Sequence, residues 1–258
     1  MRIAIAQGCR PGFGALAASA AQAASLGARL LITPELSLTG YLLGPRAQAW
    51  EGEQTARRVG EIAAEHRLAV VYGVPERDGD GVHNTARLIG PDGAVLAAYR
   101  KTHLYGDQER ATFTPGGQPV VQADLDGLRI GLLICYDVEF PETVRAHALA
   151  GTDLLAVPTA LMRPYEFVPR VLVPARAYEN GLHIAYANRC GPEGAYDFAG
   201  LSCLAGPDGE VRARAGAAPE LLVADVDPAL ADAARADTPY LTDRRPDLYR
   251  TLARSPRP

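Results

Sequence analysis

The chain has 258 residues, 48% of them hydrophobic and 22% charged, which describes a folded globule with a sizeable core and excludes a disordered or fibrous chain. Its net charge of −4 gives no reason to expect nucleic acid or an anionic membrane as a partner. Cys9, Cys135, Cys190 and Cys203 form no C-x-x-C pair, and His66, His83, His103, His147 and His183 show no ligand spacing, so free thiols are expected and neither disulfide framework nor metal is implied.

Met1-Arg2 leads into the apolar Ile3-Ala4-Ile5-Ala6, too short and strand-like for a signal peptide. No run reaches the roughly 20 apolar residues of a membrane span, so a cytoplasmic protein is expected. Arg2 to Gln7 reads as a buried strand, Phe13 to Leu26 as a helix ended by Gly27, and Arg29 to Thr33 as a second strand broken by Pro34. Glu35 follows that break. An acid there is ordinarily a solvated loop residue, but the end of an α/β strand is also where functional groups collect. Glu51 to His66 reads as an amphipathic helix and Ala69 to Val74 as a strand. Thr85 to Gly90 and Ala94 to Arg100 form a hairpin around Pro91-Asp92-Gly93 and deliver Lys101. Tyr105 to Pro119 is then a long loop carrying Glu109, and long loops in compact domains are more often functional than idle.

Val120 to Ala123 and Leu128 to Ile134 are further strands, the second stopping at Cys135. Pro141 suits the first turn of a helix over Glu142 to Ala150, so the turn after Cys135 should present free N–H groups, a setting that favours a thiolate. The alternative is a small buried core cysteine. Asp153 to Val157 is a strand stopped by Pro158, Thr159 to Pro169 a loop with Met162, Tyr165 and Phe167, and Val171 to Asn180 a helix closed by Gly181. His183 to Ala187 is a strand. Phe198 to Gly206 and Glu210 to Arg214 form a second hairpin whose Gly-Pro-Asp-Gly turn repeats the one at Gly90 to Gly93, which suggests two similar halves in one domain. Leu221 to Asp225 is the last strand and Pro228 to Ala234 a short helix. Residues 238–258 are a polar tail after a domain over 1–237, able to fray or to dock on a partner subunit.

Glu35, Lys101 and Cys135 each stand just past an apolar strand. A thiolate to attack a carbonyl, a carboxylate to move protons and an ammonium to stabilise an oxyanion make one chemistry. With Pro34-Glu35-Leu36-Ser37-Leu38-Thr39-Gly40-Tyr41, Tyr99-Arg100-Lys101-Thr102-His103-Leu104 and Leu132 to Glu142 in this order, the chain resembles the nitrilase superfamily of carbon–nitrogen hydrolases. The resemblance implies a four-layer αββα sandwich, usually a homodimer or larger, with no cofactor. It implies Glu35 as general base, Lys101 supporting the transition state, Cys135 as nucleophile and Glu109 as a second, positioning glutamate. The N–H of Tyr136 would join Lys101 in the oxyanion hole.

Cys135-Tyr136-Asp137 is similar to the amidase branches rather than to the Cys-Trp-Glu of nitrile-hydrolysing members, and the following residues look most like stereoselective amidases of small carboxamides. Relatives acting on deaminated glutathione often carry arginine where Glu139 stands. Glu139 suits an amine-bearing substrate or forms an ion pair with Arg145. Tyr41, Glu139, Thr159, Ala160 and Met162 are the candidate substrate contacts. The alternatives are an N-carbamoyl amidohydrolase, an omega-amidase of the deaminated glutathione type, a nitrilase, a non-catalytic interaction protein, or a Cys–His hydrolase using His103 or His183.

Overall fold

The computed structural model describes residues 1–8, 10–43, 52–79 and 81–249. Cys9, residues 44–50, Glu51 at the start of the expected second helix, Asp80 and residues 250–258 of the tail lie outside them.

Alternation along the first strand, β1 (Arg2–Gln7), sets the layers. Ile3 and Ile5 belong to a buried cluster shared with the second sheet, whereas Ala4 and Ala6 pack in a separate cluster with Leu16, Ala20, Val59 and Ala63 of two covering helices. Those helices are α1 (Phe13–Ser25) and α2 (Gly52–His66). The first sheet adds β2 (Leu30–Ile32), β3 (Ala69–Asp78), β4 (Gly81–Ile89) and β5 (Val95–Arg100). The second is built from β6 (Gln122–Leu125), β7 (Leu128–Leu132), β8 (Leu154–Thr159), β9 (His183–Asn188), β12 (Cys203–Ala205) and β13 (Val211–Arg214). Between β9 and β12 lies a two-stranded ribbon of β10 (Cys190–Glu193) and β11 (Tyr196–Ala199), and β14 (Glu220–Asp225) returns to the first sheet. On the second sheet, α4 (Pro141–Leu149) and α5 (Val173–Asn180) contribute Val144, Ala148, Val173 and Ala177 to the same cluster as Ile3, Ile32 and Ile184. The order is the αββα sandwich that the resemblance implies.

The strand orders, β14-β1-β2-β3-β4-β5 and β6-β7-β8-β9-β12-β13 read from the matching edge, make the two halves equivalent. Each has three parallel strands, a hairpin on one side and one antiparallel strand on the other. The repeated turns occupy the same place in each half. Gly93 N donates to Gly90 O and Gly209 N to Gly206 O, both at 2.9 Å, and Gly93 and Gly209 take φ of 87° and 82°.

Several expectations need correction. The segment Tyr105 to Pro119 contains a helix, α3 (Gly106–Thr112), with Glu109 as its one buried residue. Strand β8 runs through Pro158 to Thr159: its neighbour β7 ends opposite Ala156, so the missing N–H of Pro158 costs no ladder bond on that side. The expected strand Phe198 to Gly206 is broken in two, because Gly200 and Leu201 both adopt positive φ, 68° and 60°, and turn the chain from the ribbon into the second sheet. Helix α6 (Pro228–Asp237) runs three residues past its expected end and is capped by the Asp227 carboxylate accepting from Ala229 N at 3.0 Å.

Candidate active site

Glu35 follows β2 in the first sheet, Lys101 follows β5 in the same sheet, and Cys135 follows β7 in the second, so all three stand at the C-terminal ends of strands, close enough for each to act on the others' charge. Glu35 N donating to Thr159 O at 3.3 Å ties the two sheets together there. Lys101 Nζ donates to Glu35 Oε1 and to Glu109 Oε1, each at 2.7 Å, with all three side chains at most 2% exposed. Glu35 Oε1 also accepts from Asn84 Nδ2 at 2.7 Å. Glu109 Oε1 accepts from Tyr41 OH, and its Oε2 from the Tyr105 amide, both at 2.8 Å. Each oxygen but one is thus committed. Glu35 Oε2 is buried and has no hydrogen-bond partner among the described residues.

Cys135 opens a 3-10 turn, Cys135–Glu139, with φ of 48°, a left-handed conformation that costs a non-glycine residue about 1–3 kcal/mol. Asp137 holds the turn in place. Its Oδ2 accepts from Ile134 N at 3.2 Å and Tyr99 OH at 2.9 Å, and its Oδ1 accepts from Thr102 OH and His103 N at 2.9 Å each. One carboxylate therefore fixes the cysteine turn to the segment that carries Lys101. Asp137 and Asn84 were missed by sequence reasoning. Asp137 left a trace as an acid set inside an apolar run, while Asn84 left none until the β3–β4 pairing is known.

Beside the cysteine lies a pocket of about 240 Å³. Its walls are Tyr41, Tyr105, Tyr136 and Tyr165, with Ala160, Leu161, Met162 and Glu139 completing the lining. Four of the five candidate substrate contacts therefore line it. Thr159 does not: its carbonyl accepts from Glu35 N and Arg189 N. The segment after it is pinned by Asn188, whose side chain accepts from Leu161 N at 2.8 Å and donates to Leu161 O and Gly200 O. Among the described residues Glu139 makes no ion pair with Arg145. His103 is not a pocket residue either; its Nδ1 lies 2.9 Å from Asp137 and its ring stacks on Phe140 at 4.0 Å. His183 Nε2 is 3.0 Å from Asp227 O, away from the pocket. The histidine-based alternative thus lacks its base.

Burial pushes the Glu35 carboxyl above its ordinary value, with Lys101 opposing and Glu109 adding to the shift. Burial pulls on Lys101 in the other direction, but Glu35, Cys135 and Glu109 outweigh it and hold the ammonium well above the usual lysine value. The thiol of Cys135 goes up, not down: desolvation and the two carboxylates exceed the help from Lys101 and the Ala160 backbone. This corrects the expectation of a resting thiolate. A buried thiol is a weak nucleophile until its proton leaves, and Glu35 and Lys101 are the charged groups felt most strongly at this sulfur.

The family model for carbon-nitrogen hydrolases matches residues 2–236 of this chain. The "hydrolase in pqqF 5′ region" of Pseudomonas protegens is 44% identical over 233 residues, which are 88% of this chain and 81% of its own. An (R)-stereoselective amidase of Pseudomonas sp. is 38% identical over 221 residues, 84% of this chain and 79% of its own. Among solved structures, an amidase from Nesterenkonia sp. AN1 superposes with a TM-score of 0.89 at 41% identity, over 98% of this chain and 99% of that one. Variants of that amidase have been solved in complex with butyramide and with the acetamide moiety of fluoroacetamide on the active-site cysteine.

Proposed function

The chain belongs to the carbon–nitrogen hydrolase family, and from that premise we propose that it is an amidase hydrolysing a small carboxamide to carboxylic acid and ammonia through a thioester on Cys135. The observation that carries this reading is Glu35 Oε2, a buried carboxylate oxygen left without a partner while its twin is held by Lys101 and Asn84. The amidase relatives, and the cysteine of the Nesterenkonia enzyme, which bonds covalently to the acetamide moiety of fluoroacetamide, support it.

In the proposed sequence Glu35 takes the Cys135 proton as sulfur bonds to the amide carbon. Lys101 and the Tyr136 N–H face the oxygen that becomes negative. The carbon–nitrogen bond breaks as Glu35 returns the proton to nitrogen, and ammonia leaves. Glu35 then takes a proton from water, hydroxide adds to the thioester, the carbon–sulfur bond breaks, and Glu35 reprotonates the sulfur. Glu109 steadies Lys101 and Tyr41 throughout.

Ammonia release from aliphatic carboxamides, ureido acids and nitriles tests the assignment. Carboxamides should be turned over fastest, Cys135→Ala should abolish the activity, and Glu35→Gln should lose turnover while its thiol stays open to alkylation. Full activity in either variant removes the scheme; faster release from ureido acids or nitriles moves the chain to another branch.

We also read the protein as a cytoplasmic homo-oligomer, with the chain after residue 237 docking on a partner. Tyr240 of α7 (Tyr240–Asp243) packs edge-on against Tyr178 at 5.9 Å, and Leu248 is left 62% exposed, an apolar surface suited to a second copy. Light scattering on the full chain and on a variant ending at residue 237 should give a larger assembly for the former.

A further inference from the structure

Glu139 ends the same short turn that Cys135 begins, so its position relative to the sulfur is fixed by four residues of backbone. The three-residue repeat of a 3-10 turn puts Tyr136 and Glu139 on one face, toward the pocket, while Asp137 points the other way to Thr102 and His103. Among the described residues the Glu139 carboxylate has neither hydrogen bond nor ion pair. The cation beside it, Arg176, is spent elsewhere: it donates to the Glu139 backbone carbonyl at 2.8 Å and to the Glu179 carboxylate at 3.1 Å.

The rest of the pocket suits a positive charge. Tyr105, Tyr136 and Tyr165 form a linked cluster, with Tyr105 edge-on to Tyr136 at 5.3 Å and to Tyr165 at 6.3 Å, and Tyr41 stands across from them. Tyrosine faces attract cations. Among the described residues three carboxyl groups, Glu35, Glu109 and Glu139, stand at the site against the ammonium of Lys101, with Arg176 already paired to Glu179, so an ammonium brought by the substrate would meet a net negative field. Burial pushes the Glu139 carboxyl up, with Lys101 and Arg176 only partly opposing; a cationic substrate would relieve that cost.

We propose that this pocket selects carboxamides whose acyl portion carries a protonated amine, and that Glu139 is the residue that reads the charge. The proposal rests on the amidase reading of the same site and adds to it the chemical class of the acyl group. An acyl group ending in a carboxylate would be disfavoured for the same reason.

The test uses isosteric pairs: 3-aminopropanamide against butyramide and 4-aminobutanamide against pentanamide, with succinamate as the anion. The wild type should prefer at least one ammonium amide to its methyl isostere by about tenfold or more in kcat/KM, the size of one charge-assisted contact. Glu139→Gln should remove that preference mainly through KM, costing the ammonium amide about tenfold more in kcat/KM than its methyl isostere, and Glu139→Arg should favour succinamate. Equal rates for both members of each pair, an unchanged preference in Glu139→Gln, or an equal loss on butyramide would overturn the proposal. Binding of the same ligands to Cys135→Ala, followed by calorimetry, separates the two readings. If no amide releases ammonia the amidase assignment fails, whereas the charge preference is still decided by which isostere binds more tightly.

Discussion

The Asp137 carboxylate accepts both the backbone amide and the ring Nδ1 of His103 at 2.9 Å, although the two residues are 34 positions apart and belong to turns from different sheets. Since a carboxylate only accepts, Nδ1 carries the proton in that contact. The pair clamps the lysine segment to the cysteine turn. Without it, the turn at the left-handed Cys135 would lose its side-chain tie to the segment that follows Lys101.

Asp137→Ala should therefore leave Ile134 N and His103 N without their acceptor and reduce Tyr99 OH and Thr102 OH to the contacts they make with each other and with the His103 ring. A loss of about 3 kcal/mol or more in urea unfolding is expected, since each orphaned buried group costs roughly 1–3 kcal/mol. Asp137→Asn keeps one acceptor and should lose less, yet its kcat should fall with little change in KM, because geometry rather than substrate contact is damaged. Wild-type stability and kcat in both variants would show that Asp137 positions nothing.

The resting thiol gives a second prediction, with two readouts of opposite sign. Glu109 raises the Cys135 thiol. Removing its charge with Glu109→Gln should make the thiolate easier to form, so modification by the small neutral reagent methyl methanethiosulfonate at pH 8 should speed up. Turnover should fall by about tenfold or more, because Lys101 loses one of its two carboxylates and an amide cannot accept at both ends, from Tyr41 OH and Lys101 at one and Tyr105 N at the other. Parallel changes in the two rates would mean that Glu109 acts through folding instead.

What could be read from the sequence follows from what sequence records. Glu35, Lys101 and Cys135 stood out because each comes directly after an apolar strand, and the duplicated Gly-Pro-Asp-Gly turn marked two halves that the strand orders make equivalent. The thiol's shift was misread because it depends on burial, and burial at Cys135 is created by β8, by the loop after it and by two distant glutamates. Helix α3 escaped because its seven residues, Gly106 to Thr112, carry no apolar period, and its inward residue is the charged Glu109. The Glu139 and Arg145 alternative could not be decided without α5, which supplies Arg176 from a distant part of the chain.

His147, fully buried in α4 with Nδ1 3.1 Å from Thr152 Oγ1, has its pKa lowered by burial from 6.5 to about 4. Below pH 6.5 the unfolded chain binds a proton on this residue and the folded chain does not until about pH 4. Native stability should accordingly fall as pH drops through that interval, by up to about 3 kcal/mol, with the loss complete below it. Replacing the ring with one that cannot titrate, His147→Phe, should flatten this part of the stability curve in urea unfolding between pH 7 and pH 4. An identical slope in the two proteins would exclude His147 as its source.

Gly73 tests whether the Glu35 turn is held by close backbone contact. A Cβ at this position would sit 2.3 Å from Leu36 N and 3.0 Å from the Glu35 carbonyl carbon, and both neighbours are backbone that cannot swing aside. Leu36 already has φ of 49°, so the turn has little freedom to absorb the displacement. Gly73→Ala should destabilise the protein by about 1–3 kcal/mol, as overpacking usually does, and should lower kcat by at least about tenfold because the carboxylate is pushed from its place beside Lys101 and the sulfur. Gly14→Ala in α1 is the control: nothing lies within 4 Å of its added methyl, and helix propensity predicts unchanged activity with stability equal or better by up to about 1 kcal/mol. If Gly73→Ala matched that control in unfolding and in kcat, the close approach would have no bearing on catalysis.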